Sequence, residues 1–216
     1  NIYRCFNWFA KDNQSGNAEV KSILNAISLA KTKYKIQHKS ILAGFSAGGY
    51  MAQLLASLSP NSFLAMLSVA GGPPKCAQSI FEIRTCTSGK PTFSKEEWFK
   101  KGKKQGQLFP QKLAFVMLVH GLKDDVVNPN NFLWSGYYWA GFFNLPTKPN
   151  SVEKNSDFIL RHYRSSNAKM QRILFHDLPH AFPIDENTSC GTLDKYKRNT
   201  RCIAKDFLTR VFYHKK

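Results

Sequence analysis

The segment Gly44-Phe45-Ser46-Ala47-Gly48 constrains what this chain can fold into more than any other. Just before it, residues 40–43 form a short apolar run that ends at glycine, the signature of a buried strand. Just after it, Met51, Leu54, Leu55 and Leu58 recur at helical spacing. A strand that passes into a helix over so few residues needs a tight turn, and glycines on both sides of Ser46 permit one. Such a turn lifts the serine hydroxyl above the strand's end. The helix that starts there aims backbone N–H groups, and the positive end of its dipole, at any oxyanion that forms nearby. The Ala47 N–H is the expected donor. The five-residue pattern alone arises often by chance; the strand before it and the helix after it give it weight.

The rest of the chain repeats this alternation. Val20, Ile23, Leu24 and Ile27 predict a helix over 18–33. Residues 63–69 read as a strand, closed by Gly71-Gly72-Pro73-Pro74. Residues 113–120 form the cleanest strand, followed by a loop through Asp124 and Pro129 and an aromatic helix over 131–143. Residues 144–156 read as loop, 158–163 and 172–175 as strands. A last helix over 201–212 would bury Ile203, Phe207, Leu208 and Val211. Residues 75–110 differ in character: they hold two cysteines, several prolines and glycines and a lysine cluster, and they read as an excursion over the sheet, part cap and part surface loop. Short apolar strands alternating with helices predict an α/β fold with a mostly parallel sheet flanked by helices. At 216 residues, one domain spanning 1–216 suffices.

Lysine and arginine number 31 against 14 acids, a formal charge of +17. That balance raises nucleic acid as a partner. The cluster Lys100, Lys101, Lys103 and Lys104 comes with no helix-turn-helix, zinc-finger or RNA-module signature, so nucleic-acid binding is not expected; attraction to an anionic surface stays open. No apolar stretch reaches the roughly 18 residues that cross a bilayer. The five cysteines have no metal-ligand spacing, so neither a metal nor another cofactor is expected. Cys76 with Cys86 and Cys190 with Cys202 could form local pairs, leaving Cys5 over. That pattern leans towards an extracellular or periplasmic protein, against the alternative of five reduced thiols in the cytoplasm.

A serine hydroxyl attacks carbonyls only when a base removes its proton, and the base needs an acid to orient it. Downstream of Ser46 the chain supplies both, in the order serine, acid, histidine. Asp124 follows the strand that ends Val119-His120-Gly121, at the carboxyl end where open α/β sheets carry their functional groups. Asp125 is its neighbour and competitor, and spacing does not separate the two. His180 lies on a loop after the strand 172–175, with His176 as the alternative base nearer the strand's end. The aromatic residues of 131–143 read mainly as core. Some of them, with Trp8, are candidates for lining an acyl groove, and Phe45 is a candidate substrate contact beside Ser46.

Four segments together resemble the polyhydroxybutyrate depolymerases and related esterases of the α/β-hydrolases. Residues 5–9, CFNWF, resemble the family's CWNWF; residues 44–50, GFSAGGY, its GLSAGG elbow; residues 120–131, HGLKDDVVNPNN, its HGxxDxxVxPxN loop; and residues 180–183, HAFP, its HAWP loop. The resemblance implies an α/β-hydrolase with Ser46 as nucleophile, Asp124 rather than Asp125 as the acid, and His180 as the base, needing no cofactor. It also implies an ester or polyester substrate: hydroxyalkanoate polyesters or their oligomers, or acetyl and feruloyl esters on polysaccharides. Members of the family carry a His-Gly-Cys-like loop and early strands upstream of the segment matched by Cys5. On this reading the fold is N-terminally incomplete: that loop would supply the second oxyanion donor and its cysteine would partner Cys5. A related, non-catalytic binding protein that keeps the fold is the alternative.

Overall fold

The computed structural model describes residues 5–36, 39–90, 93–109, 113–166 and 168–182, together with 207 and 209. In chain order its elements are α1 (Lys11–Gln14), α2 (Ala18–Lys33), β1 (Ser40–Phe45), α3 (Ala47–Leu58), β2 (Phe63–Val69), α4 (Ile83–Thr87), α5 (Lys95–Gln107), β3 (Phe115–Gly121), α6 (Asn130–Phe143), β4 (Ser151–Lys154), β5 (Phe158–Arg164) and β6 (Lys169–Phe175). Six strands form one sheet in the order β1-β2-β3-β6-β5-β4. β1, β2, β3 and β6 run parallel, while β5 and β4 are antiparallel additions at one side. The α/β prediction holds, with a mostly parallel sheet.

Strand alternation separates two apolar faces. Ala65, Leu67 and Val69 of β2 join Phe115, Met117 and Val119 of β3 on one face, with Ile173, Phe175 and Phe207. Met66, Val116, Leu118 and Met170 point to the other, where α3 and α6 cover them through Met51, Leu54, Phe132, Trp139 and Phe142. The aromatic rings of α6 are therefore core: Phe132, Trp134, Tyr138, Trp139, Phe142 and Phe143 are all buried. The Trp139 indole N–H donates to Gln53 Oε1 at 2.9 Å, which fixes α6 against α3.

Most sequence-predicted elements match within a few residues, and the departures have identifiable causes. Residues 144–156, read as loop, contain β4, all four of whose residues are exposed. An exposed edge strand offers no apolar alternation to read. Residues 75–110, read as cap and surface loop, contain α4 and α5. The start of α5 is a capping box: the Ser94 hydroxyl accepts from the Glu97 N–H, and the Glu97 carboxylate accepts from the Ser94 N–H. Its lysine-rich sequence hides a narrow contact stripe of Trp98, Gly102 and Gly106, all buried. This stripe lies against α6. A Cβ on Gly102 would collide with the Tyr138 carbonyl oxygen, one on Gly106 with that of Phe142, and one on Gly141 with that of Phe99. The glycines let two backbones touch.

Cys76 and Cys86 form a disulfide, as the spacing allowed. Cys190 and Cys202, and the predicted helix 201–212 apart from 207 and 209, lie outside the described residues. Among the described residues, no helix is long and apolar enough to cross a membrane. The α5–α6 approach predicts that Gly102→Ala or Gly106→Ala lowers the unfolding free energy by about 1–3 kcal/mol, the usual cost of overpacking. That loss should appear in urea titrations despite alanine's gain of about 1 kcal/mol in helix propensity.

Candidate active site

Ser46, Asp124 and His180 leave the carboxyl ends of three parallel strands, β1, β3 and β6. Ser46 occupies a left-handed conformation, φ 53° and ψ −122°, which costs a non-glycine residue about 1–3 kcal/mol. Two backbone bonds hold it there: its N–H donates to Val69 O at 2.9 Å, and its carbonyl accepts from the Tyr50 N–H at 3.0 Å. That second bond is the first i→i−4 bond of α3, so the Ala47 N–H lies ahead of the helical ladder, in the turn where such donors point outward. The two glycines of the pentapeptide differ in their duties. A Cβ on Gly44 would strike the Gly48 carbonyl, whereas one on Gly48 would meet only Phe6 Cε2 at 4.0 Å. The turn needs glycine before the serine, and the space above Gly48 is open.

The acid loop and the histidine loop are joined at their roots. The Leu122 N–H donates to Phe175 O at 2.8 Å and the Lys123 N–H to Leu178 O at 3.2 Å. A Cβ on Gly121 would collide with the Leu178 carbonyl, so Gly121 lets the two loops lie side by side. An exposed pair, Lys123 Nζ to Asp177 Oδ1 at 2.7 Å, bridges the same loops and contributes little. This zipping brings His180 to Asp124. The His180 Nδ1–H faces both carboxylate oxygens, at 3.0 Å and 2.9 Å, and its Nε2 lies 2.9 Å from Ser46 Oγ. The acceptor on one side of the ring thus fixes the tautomer that offers a lone pair to the hydroxyl.

Asp124 is buried at 5% exposure, while Asp125 is exposed. Burial pushes the Asp124 carboxyl up. Hydrogen bonds from His120, His180 and the Val127 N–H outweigh it, holding the group well below the usual carboxylate range. The Val126 and Val127 N–H groups donate to Oδ1 at 3.0 Å and 2.8 Å. The loop is itself anchored to the disulfide segment: the Asn128 N–H donates to Thr87 O at 2.8 Å, and Asn131 Nδ2 to Cys86 O at 2.9 Å. Residues 75–110 therefore buttress the acid loop as well as pack on α6.

The other sequence candidates fall in different places. Phe45 packs at a tilt against the His180 ring, with centroids 4.9 Å apart, and against Phe182 at 4.8 Å, giving the histidine an apolar wall. Trp8, a candidate for lining the groove, is buried at 5% exposure and stacks on Tyr50 at 4.0 Å. It supports the elbow helix from within and forms no part of the groove wall. His176 is half-buried at the end of β6, where its N–H donates to Asp157 O; His162 lies on the β4–β5 hairpin, 2.8 Å from Glu153. A groove of about 790 Å³ opens beside Ser46, with Phe6, Ile23, Leu42, Phe45, Met51 and Leu55 among its lining. No α6 ring lines it. Among the described residues, no group of three or more His, Cys, Asp or Glu could hold a metal ion. The buried partners of Asp124 carry little signal in the sequence: His120 reads as one more strand residue, and backbone donors leave no mark in side-chain chemistry.

The elbow geometry predicts a sharp asymmetry. Gly44→Ala should dismantle the turn and abolish any activity that depends on Ser46, whereas Gly48→Ala should keep the fold, as circular dichroism and thermal melting will show. The depressed Asp124 carboxyl also makes a pH prediction. A group whose folded pKa lies below its ordinary 3.8 contributes stability that is fully present above that value and lost as pH falls through the folded one. Denaturant titrations should therefore show Asp124→Asn less stable than the parent at neutral pH, with the gap narrowing below pH 3.8.

Comparison with known proteins fits this geometry. The prolyl oligopeptidase family model matches residues 8–134, which include Ser46 and Asp124. Poly(3-hydroxyalkanoate) depolymerase C of Paucimonas lemoignei is 25% identical over 221 residues, covering 98% of this chain and 53% of the relative. The probable acetylxylan esterase A of Aspergillus clavatus is 25% identical over 178 residues, covering 79% and 58%. The chain spans about half the length of the curated relatives it matches. The acetyl xylan esterase of Aspergillus awamori shares the fold, with a TM-score of 0.74 and 22% identity over 83% of this chain and 69% of that one. With a family model covering more than half its length and a sheet that carries Ser46, Asp124 and His180 at the ends of parallel strands, the chain belongs to the prolyl oligopeptidase family and has the α/β-hydrolase fold.

Proposed function

We propose that this protein is a serine carboxylic ester hydrolase working through an acyl-enzyme, with Ser46 as nucleophile, His180 as general base and Asp124 as the orienting acid. The observation that carries the proposal is the continuous hydrogen-bonded line from Asp124 through His180 to Ser46, every link between 2.9 Å and 3.0 Å. The reaction runs in two halves. Ser46 Oγ bonds to the ester carbonyl carbon while its proton passes to His180 Nε2, and the Ala47 N–H donates to the oxyanion. The C–O bond to the alcohol then breaks, and the imidazolium returns its proton to the departing oxygen. Water attacks the acyl-enzyme and gives a proton to His180, and the acid leaves as Ser46 is reprotonated. Asp124 holds the tautomer and the charge of the ring throughout, and stays ionised.

Two features favour a hydroxyalkanoate polyester or its oligomers as substrate. The likeness to the poly(3-hydroxyalkanoate) depolymerase spans 98% of the chain, against 79% for the acetylxylan esterase of A. clavatus. The groove beside Ser46 is lined mainly by apolar side chains, which suit an alkyl chain better than a sugar. Acetyl esters on a polysaccharide are the second reading, supported by several acetylxylan esterase relatives. The Cys76–Cys86 disulfide supports a working place in an oxidising compartment outside the cytoplasm.

Turnover of a 3-hydroxybutyrate oligomer, acetylated xylan and a short-chain p-nitrophenyl ester tests these readings side by side. Ser46→Ala and His180→Ala should each lower kcat/KM by roughly ten-thousand-fold or more. The oligomer should be the best of the three substrates. Equal turnover by Ser46→Ala and the parent would remove Ser46 from the mechanism, and a clear preference for acetylated xylan would establish the second reading.

A further inference from the structure

Asp124 has a second histidine on it. His120 lies next to last in β3, on the face that carries Val116 and Leu118, and it is 1% exposed. Its Nε2 lies 2.8 Å from Val127 O and 3.2 Å from Asp124 Oδ2. A carbonyl only accepts, so the Nε2 position carries the proton, and one N–H serves both oxygens. His120 cannot be the base, because this nitrogen is committed to the acid loop and the ring is shut away from solvent. The carboxylate then has four donors: the N–H groups of Val126 and Val127 on Oδ1, His120 on Oδ2, and the His180 Nδ1–H facing both.

Only one of those donors comes from a rigid strand side chain. The Val126 and Val127 donors belong to the same loop as Asp124, so they shape the loop but do not fix it to the sheet. His180 is the group to be oriented. His120, packed edge-on to Phe132 with centroids 6.2 Å apart, ties both the carboxylate and the loop's Val127 carbonyl to the central parallel strand. We infer that His120 is a positioning residue for the hydrolysis: its Nε2–H anchors Asp124 Oδ2 and the Val127 carbonyl together, so that the carboxylate meets His180 at the angle the proton transfer needs. This inference rests on the proposed roles of Ser46, His180 and Asp124 and adds a fourth side chain to them. The titratable groups around the pair are Asp124, His180 and the buried Tyr50, with Lys123, Asp125 and Asp177 exposed on the surrounding loops.

Three variants and a control test it, read as kcat, KM and the pH dependence of kcat/KM on a p-nitrophenyl ester. His120→Gln keeps an N–H donor near the Nε2 position, His120→Asn draws the donor back by one bond, and His120→Leu removes it. Misplacement by about 1 Å can cost on the order of a hundredfold. His120→Leu and His120→Asn should therefore lose roughly ten- to a hundredfold in kcat with little change in KM. Their acid limb should move away from the parent's, because the carboxylate that faces His180 has lost a donor and its fixed place. His120→Gln should recover most of the rate and the parental pH profile. Should His120→Leu fail to fold, as judged by its melting transition, the Gln and Asn pair decides. Parental rate and pH profile in both, or equal losses in both with an unmoved acid limb, would overturn the inference. Ser46→Ala keeps the readings apart: if it abolishes turnover while the His120 variants behave like the parent, only the positioning role fails, and if it does not, the proposed mechanism fails first.

Discussion

The Asp124 carboxylate is the interaction on which the site's geometry depends. A buried carboxylate is costly unless its oxygens are satisfied. Here two loop N–H groups and two imidazole N–H groups supply the compensation, and the group stays ionised as a result. A fixed negative charge on one side of the His180 ring dictates which nitrogen bears the proton, and so which nitrogen faces Ser46. The separation between Ser46 and Asp124, 78 residues apart in sequence, is bridged by one ring.

The frame around that carboxylate includes several close backbone approaches. Gly121 lets the acid loop lie against the Leu178 carbonyl, and Gly44 lets β1 turn into α3 beneath the serine. The disulfide segment docks on the acid loop through Asn128 and Asn131, while α5, further along the same excursion, is pressed onto α6 by Gly102 and Gly106. The α6 rings fill one face of the sheet that holds all three side chains. Stability and site geometry thus share the same contacts, and a one-methyl change far from Ser46 can reach it.

Much of this was legible in the sequence because it rests on periodicity and order. The run 40–43 followed by GFSAGG announced a strand, a turn and a helix, and the order serine, acid, histidine named three residues that the fold brings within hydrogen-bond range. Other parts left no such mark. β4 is exposed on every residue, so nothing alternates. The contact stripe of α5 is two glycines and one tryptophan among lysines, a pattern that looks like a solvated segment until its partner helix is present. Trp8, within the motif CFNWF, was a candidate substrate contact, yet its ring is spent on Tyr50. The choice between Asp124 and Asp125 came from resemblance, since spacing treats adjacent acids alike; burial separates them in the fold. His120 was hidden for a related reason: a histidine in a strand reads as core, and only the loop's return places an oxygen of Asp124 beside it.

The proposed mechanism makes Ser46 a nucleophile activated by His180 against an ionised Asp124. Labelling with a fluorophosphonate, followed by mass spectrometry of the digested protein, tests it most directly, since the reagent reacts with a serine made nucleophilic by its surroundings. One adduct per chain is expected, on the peptide that contains Ser46, together with its loss when His180 is replaced by alanine. An adduct on another residue, or labelling of Ser46 that persists undiminished without His180, would contradict it.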